Sequence, residues 1–263
     1  MTSTLRRFTT PLLGAFLIAC TPAAPPFPED AAGQPFSDDF EGEGPLQGHT
    51  TARAEVLPSV ARADGRYRAE LSDNANNKTL HFNKDQGRLD ARPLRFPFEV
   101  IVRNVGIGSL KDSQSPPRPA DAYVFAGLQV HAPDLEAPES AHLVVGHRGR
   151  TLFTVEGKNT RRGRSGVTDE GAGVAPEGRA DLRIVGLEDR SLRAYWQLPN
   201  PQPGVTPDAW RAYGGDGLLP GRAPRFPEWV YVGLITYAQG DAGLPFVGTA
   251  DAIELVDGLP KPE

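Results

Sequence analysis

Apolar and polar residues alternate along most of this chain with a period of two. The pattern is plain in Tyr67-Arg68-Ala69-Glu70-Leu71 and in Phe98-Glu99-Val100-Ile101-Val102-Arg103. It returns in Val124-Phe125-Ala126-Gly127-Leu128-Gln129-Val130-His131, in Leu182-Arg183-Ile184-Val185 and in Val230-Tyr231-Val232-Gly233-Leu234-Ile235. Shorter runs of the same kind are His142-Leu143-Val144-Val145, Leu152-Phe153-Thr154-Val155, Leu192-Arg193-Ala194-Tyr195-Trp196 and Ala252-Ile253-Glu254-Leu255-Val256. Gly, Pro, Asn and Asp clusters separate them. No window of a dozen residues shows the i, i+3, i+4, i+7 apolar stripe of a helix without Pro or Gly interrupting it. Many short strands with no crossover helices predict antiparallel sheets in a sandwich or barrel. The absence of a 20–50-residue repeat argues against a propeller.

Composition narrows the class. The chain has 263 residues, a formal charge of −5 and one cysteine. That charge argues against a nucleic-acid partner. With the lone cysteine spoken for (below), no disulfide can form, so packing alone must hold the fold. A monomer is expected.

The order of the strands carries a resemblance. Ser37-Asp38-Asp39-Phe40 opens the domain, Ala126-Gly127-Leu128-Gln129-Val130 follows, then the meander His142–Val145 to Phe153–Val155. The hairpin Leu182–Val185 to Leu192–Tyr195 comes next, and Val230–Leu234 and Ala250–Leu255 close it. Over residues 36–257 this resembles the concanavalin A-like lectin/glucanase superfamily, in particular its laminin-G-like jelly rolls. The resemblance implies an all-β, two-sheet antiparallel jelly-roll sandwich, one sheet curved with an open concave face. Lectins, glycosidases and adhesion modules share that fold, so it does not select a function. It also implies a structural calcium, held by an early aspartate and one near the last strand. Asp39 and Asp251, with Asp38 beside them, stand in the corresponding places, where the plainer reading is a strand cap and a solvated turn.

Enzyme motifs are missing. Jelly-roll glucanases set two carboxylates on one strand as Glu-x-Asp-x-x-Glu, a spacing absent here. There is no Gly-x-Ser-x-Gly, and no pair among His49, His81, His131, His142 and His147 has the spacing of helical zinc ligands. Strand parity instead suggests a binding face. Leu128, Val130, Val232, Leu234, Leu192 and Trp196 read as core, which sends Gln129, His131, Arg193, Tyr195 and Tyr231 to the opposite side. Aromatic faces beside planar hydrogen-bonding groups suit a sugar. The plainer reading is an amphipathic surface with cross-strand Tyr–Arg pairs. Counting strand crossings places the connections 132–141, 157–180 and 199–228 at one end of the sandwich. Among them is a basic group of Lys158, Arg161, Arg162 and Arg164.

The N-terminus adds an address. Arg6 and Arg7 precede the apolar run Leu12–Ala19, which is shorter than the roughly 18 residues that span a bilayer. The run ends in Leu17-Ile18-Ala19-Cys20 and resembles a bacterial lipoprotein signal peptide. That resemblance implies cleavage after residue 19 and lipidation of Cys20, making the membrane a partner through its acyl chains. Thr21 follows where retention in the inner membrane of enteric bacteria would call for aspartate, so the outer membrane is expected. Residues 20–35, rich in Pro and Ala, read as an extended tether, and 258–263 as a short tail. The chain is thus expected to be a lipid-anchored, non-catalytic envelope module that binds glycan or another envelope component. The alternative is a polysaccharide-active hydrolase or lyase whose active site carries no recognised motif.

Overall fold

A computed structural model describes residues 24–31, 35–57, 59–71, 87–118, 123–149, 152–199, 209–239 and 245–256. Cys20 and the 258–263 tail lie outside the described residues. The strands, in chain order, are β1 (Thr50–Ala52), β2 (Ser59–Ala63), β3 (Arg66–Leu71), β4 (Arg88–Arg95) and β5 (Phe98–Gly108). Then follow β6 (Tyr123–His131), β7 (Glu139–Arg148), β8 (Thr154–Arg161), β9 (Arg164–Asp169) and β10 (Arg179–Gly186). β11 (Leu192–Gln197), β12 (Arg211–Ala212), β13 (Trp229–Gln239), β14 (Phe246–Ala250) and β15 (Ala252–Leu255) complete the set.

They form two antiparallel sheets stacked as a sandwich, as the alternation and strand order predict. The first has the order β1-β4-β13-β6-β7-β8-β9, the second β12-β11-β10-β5-β14-β3-β2, with β15 also paired to β5. The main core lies between them. Val124, Ala126, Leu128 and Val130 of β6, Val230, Val232 and Leu234 of β13, and Leu143 and Val145 of β7 face Val100, Val102, Leu182, Ile184, Ala194 and Trp196 of the second sheet.

Two places depart from the sequence reading. The stretch 157–180 is not one loop. β8 continues to Arg161, a tight turn follows, and β9 returns as the edge strand. Past Val155, the core-side positions of β8 are Gly157 and Asn159 rather than large apolar residues, because a loop takes the partner sheet's place there. A Cβ on Gly157 would sit 2.6 Å from the Tyr213 ring. The Tyr213 hydroxyl accepts the Gly157 N–H at 3.0 Å, and Asn159 Nδ2 donates to the Leu219 carbonyl at 2.9 Å. Because this extra strand reverses the chain, the 132–138 connection and the β8–β9 turn share one end, whereas 170–178 leaves from the other. The second departure is the place of the expected β10–β11 hairpin, which lies in the second sheet rather than beside β6 and β13.

A buried network ties the sheets together at the β4 edge. Asp90, fully buried, accepts hydrogen bonds from Thr51 Oγ1 on β1 (2.7 Å) and Tyr67 Oη on β3 of the other sheet (2.9 Å). Arg88 pairs with the same carboxylate at 2.9 Å. Burial, and then the charge of Asp90, pushes the Tyr67 phenol well above its ordinary pKa, so it stays a donor. Asp90→Ala would strand a guanidinium and a phenol in a dry site. Chemical denaturation should show a loss of about 3–5 kcal/mol, against a few tenths for an exposed change such as Glu55→Ala.

Candidate functional site

The outer face of the first sheet is assembled by register. Leu89, Ile235, Gly127, Val144, Glu156 and Asp169 stand in one row across β4, β13, β6, β7, β8 and β9. The next row is Ala91, Gly233, Gln129, His142, Lys158 and Val167, and the one after begins Pro93, Tyr231, His131, Ser140 and Thr160. On the other side of the first row, Tyr237 and Phe125 are cross-strand neighbours. This face is not a solvated surface. Phe125, Val144, Ile235 and Tyr237 form a second apolar cluster with Leu89, and Gln129, His131, His142 and Lys158 are each at most 2% exposed. Arg53 reaches toward it, donating to the carbonyls of Gly87 at 2.7 Å and Leu135 at 3.3 Å.

The buried row carries acid–base chemistry. Tyr237 Oη donates to Glu156 Oε1 at 3.2 Å, and the His142 ring stacks on Tyr237 with centroids 5.7 Å apart. Arg148 lies 3.9 Å from Glu156 and 3.4 Å from Asp169, and so stands between two carboxylates that are direct cross-strand partners. Desolvation dominates both charged groups on β8. It raises Glu156 to about 7 against the opposing pull of Arg148 and Lys158, and it lowers Lys158 to about 8 against the pull of Glu156. Burial, then the charge of Lys158, holds His142 far below its ordinary pKa, so its ring is neutral. Neither His142 nitrogen has a hydrogen-bond partner among the described residues. His131, lowered to about 4 chiefly by burial, donates from Nδ1 to the Ala132 carbonyl at 2.9 Å.

Toward the end of the sheet where β13 begins, the face opens into a cavity of about 630 Å³. Tyr231 and Pro93 form its floor, with Gln47, His49, Thr50 and Arg92 around it and Pro28 and Asp30 of the N-terminal segment on one side. Tyr231 is half-buried and packs edge-on against Trp229 at 5.3 Å. Arg92 is fixed by the carbonyls of Phe36 (2.7 Å) and Gln47 (3.0 Å) and by Asp38 (3.1 Å). Burial, then the Arg92 charge, lowers His49. An aromatic floor ringed by an amide, a guanidinium, a neutral imidazole and a carboxylate can stack on and hydrogen-bond to a sugar ring.

The five residues that parity selected do not form one patch. Gln129, His131 and Tyr231 share the face just described, but Gln129 and His131 are buried within it. Arg193 and Tyr195 lie on the outer face of the second sheet. Parity fixes which way a side chain points relative to its strand, and says nothing about which sheet holds the strand. Tyr195 is there the cross-strand partner of Arg183, whose guanidinium lies 4.8 Å over its ring, 5.8 Å from Trp210 and 2.8 Å from Glu99. Asp39 and Asp251 stand at one corner, because Asp38 bridges Ile253. Asp251 is ion-paired to Arg66 at 3.0 Å and accepts from Asn104 Nδ2 at 2.9 Å, and Asp39 caps the Glu41 N–H. A calcium ion beside Asp251 would face that guanidinium, so the pair does not fit a hard-cation shell. Among the described residues no group of three or more His, Cys, Asp or Glu side chains is placed to hold a metal. Parity along 230–237 puts Tyr237 on the face of Tyr231, whereas His142, Glu156 and Lys158 are not among the candidate site residues. The two-residue parity that flags Gln129 also flags them, once β8 is carried to Arg161.

No known family matches the chain, and no curated protein does. Solved structures do. A functionally unknown protein from Saccharomyces cerevisiae is 14% identical, with a TM-score of 0.53 over 82% of this chain and 99% of its own. Xylan beta-1,4-xylosidase from Bacillus halodurans C-125 is 18% identical, with a TM-score of 0.53 over 90% of this chain and 41% of the enzyme. A bifunctional GH43-CE protein of Bacteroides eggerthii is 11% identical, with a TM-score of 0.53 over 85% of this chain and 26% of that one. The chain thus spans about two fifths of the xylosidase and a quarter of the bifunctional protein. At such identities the likeness establishes the sandwich fold.

The raised pKa of Glu156 has a sign that can be measured. The folded state holds this proton more tightly than the unfolded chain, whose carboxyl titrates near 4.5. The stability that the protonated group contributes is therefore complete below about 4.5 and is lost as pH rises through about 7. Glu156→Gln, which stays neutral, should unfold with a weaker decline across that window. Thermal melts of both proteins from pH 4 to pH 8 check this, and identical pH profiles would contradict it.

Proposed function

We propose that this protein is a lipid-anchored, non-catalytic module of the bacterial cell envelope, most consistent with the outer membrane, that holds glycan on the outer face of its first sheet. The observation that carries the glycan reading is the cavity floored by Tyr231, where an aromatic face meets Arg92, His49, Gln47 and Asp30. The fold supports it, since the similar structures include a xylosidase and a bifunctional GH43-CE protein. The anchor reading rests on the Leu17-Ile18-Ala19-Cys20 sequence.

A second reading, a polysaccharide-active enzyme, is favoured by one observation. Glu156, protonated near neutral pH, faces Asp169 across a strand pair with Arg148 between them. A carboxylic acid beside a carboxylate is the equipment of glycoside hydrolysis. Here the two would lie on neighbouring strands, where a search for a one-strand motif does not look.

Glycan-array binding by the mature protein separates these readings. Tyr231→Ala should abolish binding while changing stability by no more than about 1 kcal/mol, because the ring is half-exposed. Tyr195→Ala, on the other sheet, should bind as the wild type does. Unchanged binding by Tyr231→Ala would remove the site, and accumulation of new reducing ends during incubation would favour the enzyme. For the anchor, Cys20→Ser should move the protein from the detergent phase to the aqueous phase. Two or more acyl chains hold a protein stably at a membrane, so equal partitioning of mutant and wild type would exclude lipidation at Cys20.

A further inference from the structure

We propose that the end of the sandwich carrying the β8–β9 turn faces the membrane, with Arg161, Arg162, Arg164, Arg222 and Arg225 seated on the phosphates of an anionic leaflet. The proposal rests on the anchor reading above and goes beyond it, because an anchor alone does not choose an orientation.

The N-terminal segment chooses the end. Composition suggests a tether that stands clear of the domain, yet residues 24–31 are packed onto it. The Trp229 indole N–H donates to the Pro25 carbonyl at 2.8 Å, and Phe27 lies edge-on to Trp229 at 5.6 Å. Arg95 covers the Phe27 ring at 4.4 Å and is itself paired with Glu228. Trp229 opens β13 and Arg95 closes β4, so the segment is held at the end shared by the β6–β7 connection and the β8–β9 turn. From Pro25 back to Cys20 the chain can reach no more than about 18 Å even when fully extended. β13, on which it docks, runs about 35 Å from end to end at roughly 3.3 Å per residue, and β4 about 26 Å. The opposite end therefore cannot be the one held at the bilayer while the segment stays docked.

Charge at this end is arranged to meet it. Arg161, Arg162 and Arg164 flank the β8–β9 turn, and the segment that leads to β13 passes beside them. Arg161 Nη1 donates to the Ala223 carbonyl at 3.3 Å, Asn159 N–H to Pro220 at 3.2 Å, and Phe96 N–H, beside Trp229, to Glu228 at 3.0 Å. Arg222 and Arg225 thus lie between the turn and the docked segment. Desolvation and then repulsion from Arg222 and Arg225 lower the Arg161 pKa, with Glu139 opposing. None of the five arginines makes an ion pair among the described residues. Several carboxylates at this end are engaged elsewhere: Glu228 holds Arg95, Glu139 accepts the Arg162 N–H, and Asp134 and Asp189 cap their own turns. Arginines close to an anionic leaflet are attracted to it within a Debye length.

Hydrogen exchange on the lipidated protein, reconstituted into vesicles of phosphatidylcholine with or without phosphatidylglycerol, tests the proposal. Amides of 161–164 and 222–226 should exchange several-fold more slowly in the anionic vesicles only, and high salt should erase the difference. Arg162→Glu/Arg164→Glu/Arg222→Glu, all exposed positions, should exchange equally in both, and Phe27→Ala should weaken the protection. Equal exchange of the wild type in both vesicles, or protection by a soluble acidic polysaccharide instead, would overturn the proposal. A protein that enters neither vesicle would show the anchor reading to be wrong, and the orientation would fall with it.

Discussion

The middle of the first sheet is buried on both faces, and the rest of the structure depends on that constraint. Its even positions on β6 and β13 fill the core against the second sheet, while the odd positions join Phe125, Val144, Ile235 and Tyr237 on the other side. A strand buried twice loses the simple division into an apolar and a solvated side. Polar groups placed on the second face must then be satisfied or carry a cost. This is why Gln129, His142, Glu156 and Lys158 matter more than their small number suggests.

Burial sets their chemistry. In water a glutamate and a lysine two residues apart on one strand would both be charged at neutral pH. Here each is pulled toward its neutral form, and the neutral imidazole of His142 and the phenol of Tyr237 lie beside them. Strongly shifted groups gathered on one face make that face a candidate functional site. The Tyr231 cavity continues the same sheet toward the docked N-terminal segment, which supplies Pro28 and Asp30 to its wall. The docked N-terminal segment, the cavity and the buried row are therefore laid along one face.

The alternation made the fold legible. Each apolar run quoted from the sequence lies in or against a strand of the sandwich, and core residues such as Leu128, Val130, Val232 and Leu234 point inward as parity requires. The site was only partly legible. Gln129, His131 and Tyr231 do share one face of the first sheet, with Gln129 and His131 buried there rather than solvated, whereas Tyr195 lies in the second sheet, because the crossing from β9 to β10 leaves no mark in the period. The polar half of β8 looked like loop for a physical reason: its core face is Gly157 and Asn159, packed by Tyr213 and Leu219 from more than fifty positions away. Long-range partners of that kind are invisible to local pattern. The docking of residues 24–31 is a similar case, since nothing in a Pro-rich composition reveals that Trp229 is waiting for a carbonyl and an aromatic ring.

The central claim is that ligand meets the first sheet at Tyr231 rather than the aromatic cluster on the second. The most direct test is an amide chemical-shift titration of the isotope-labelled mature protein with peptidoglycan fragments and with neutral and acidic oligosaccharides. Saturable shifts should gather at Tyr231, His49, Thr50 and Arg92, and spread to Gln129. Shifts confined to Arg183, Tyr195 and Trp210 would contradict the account.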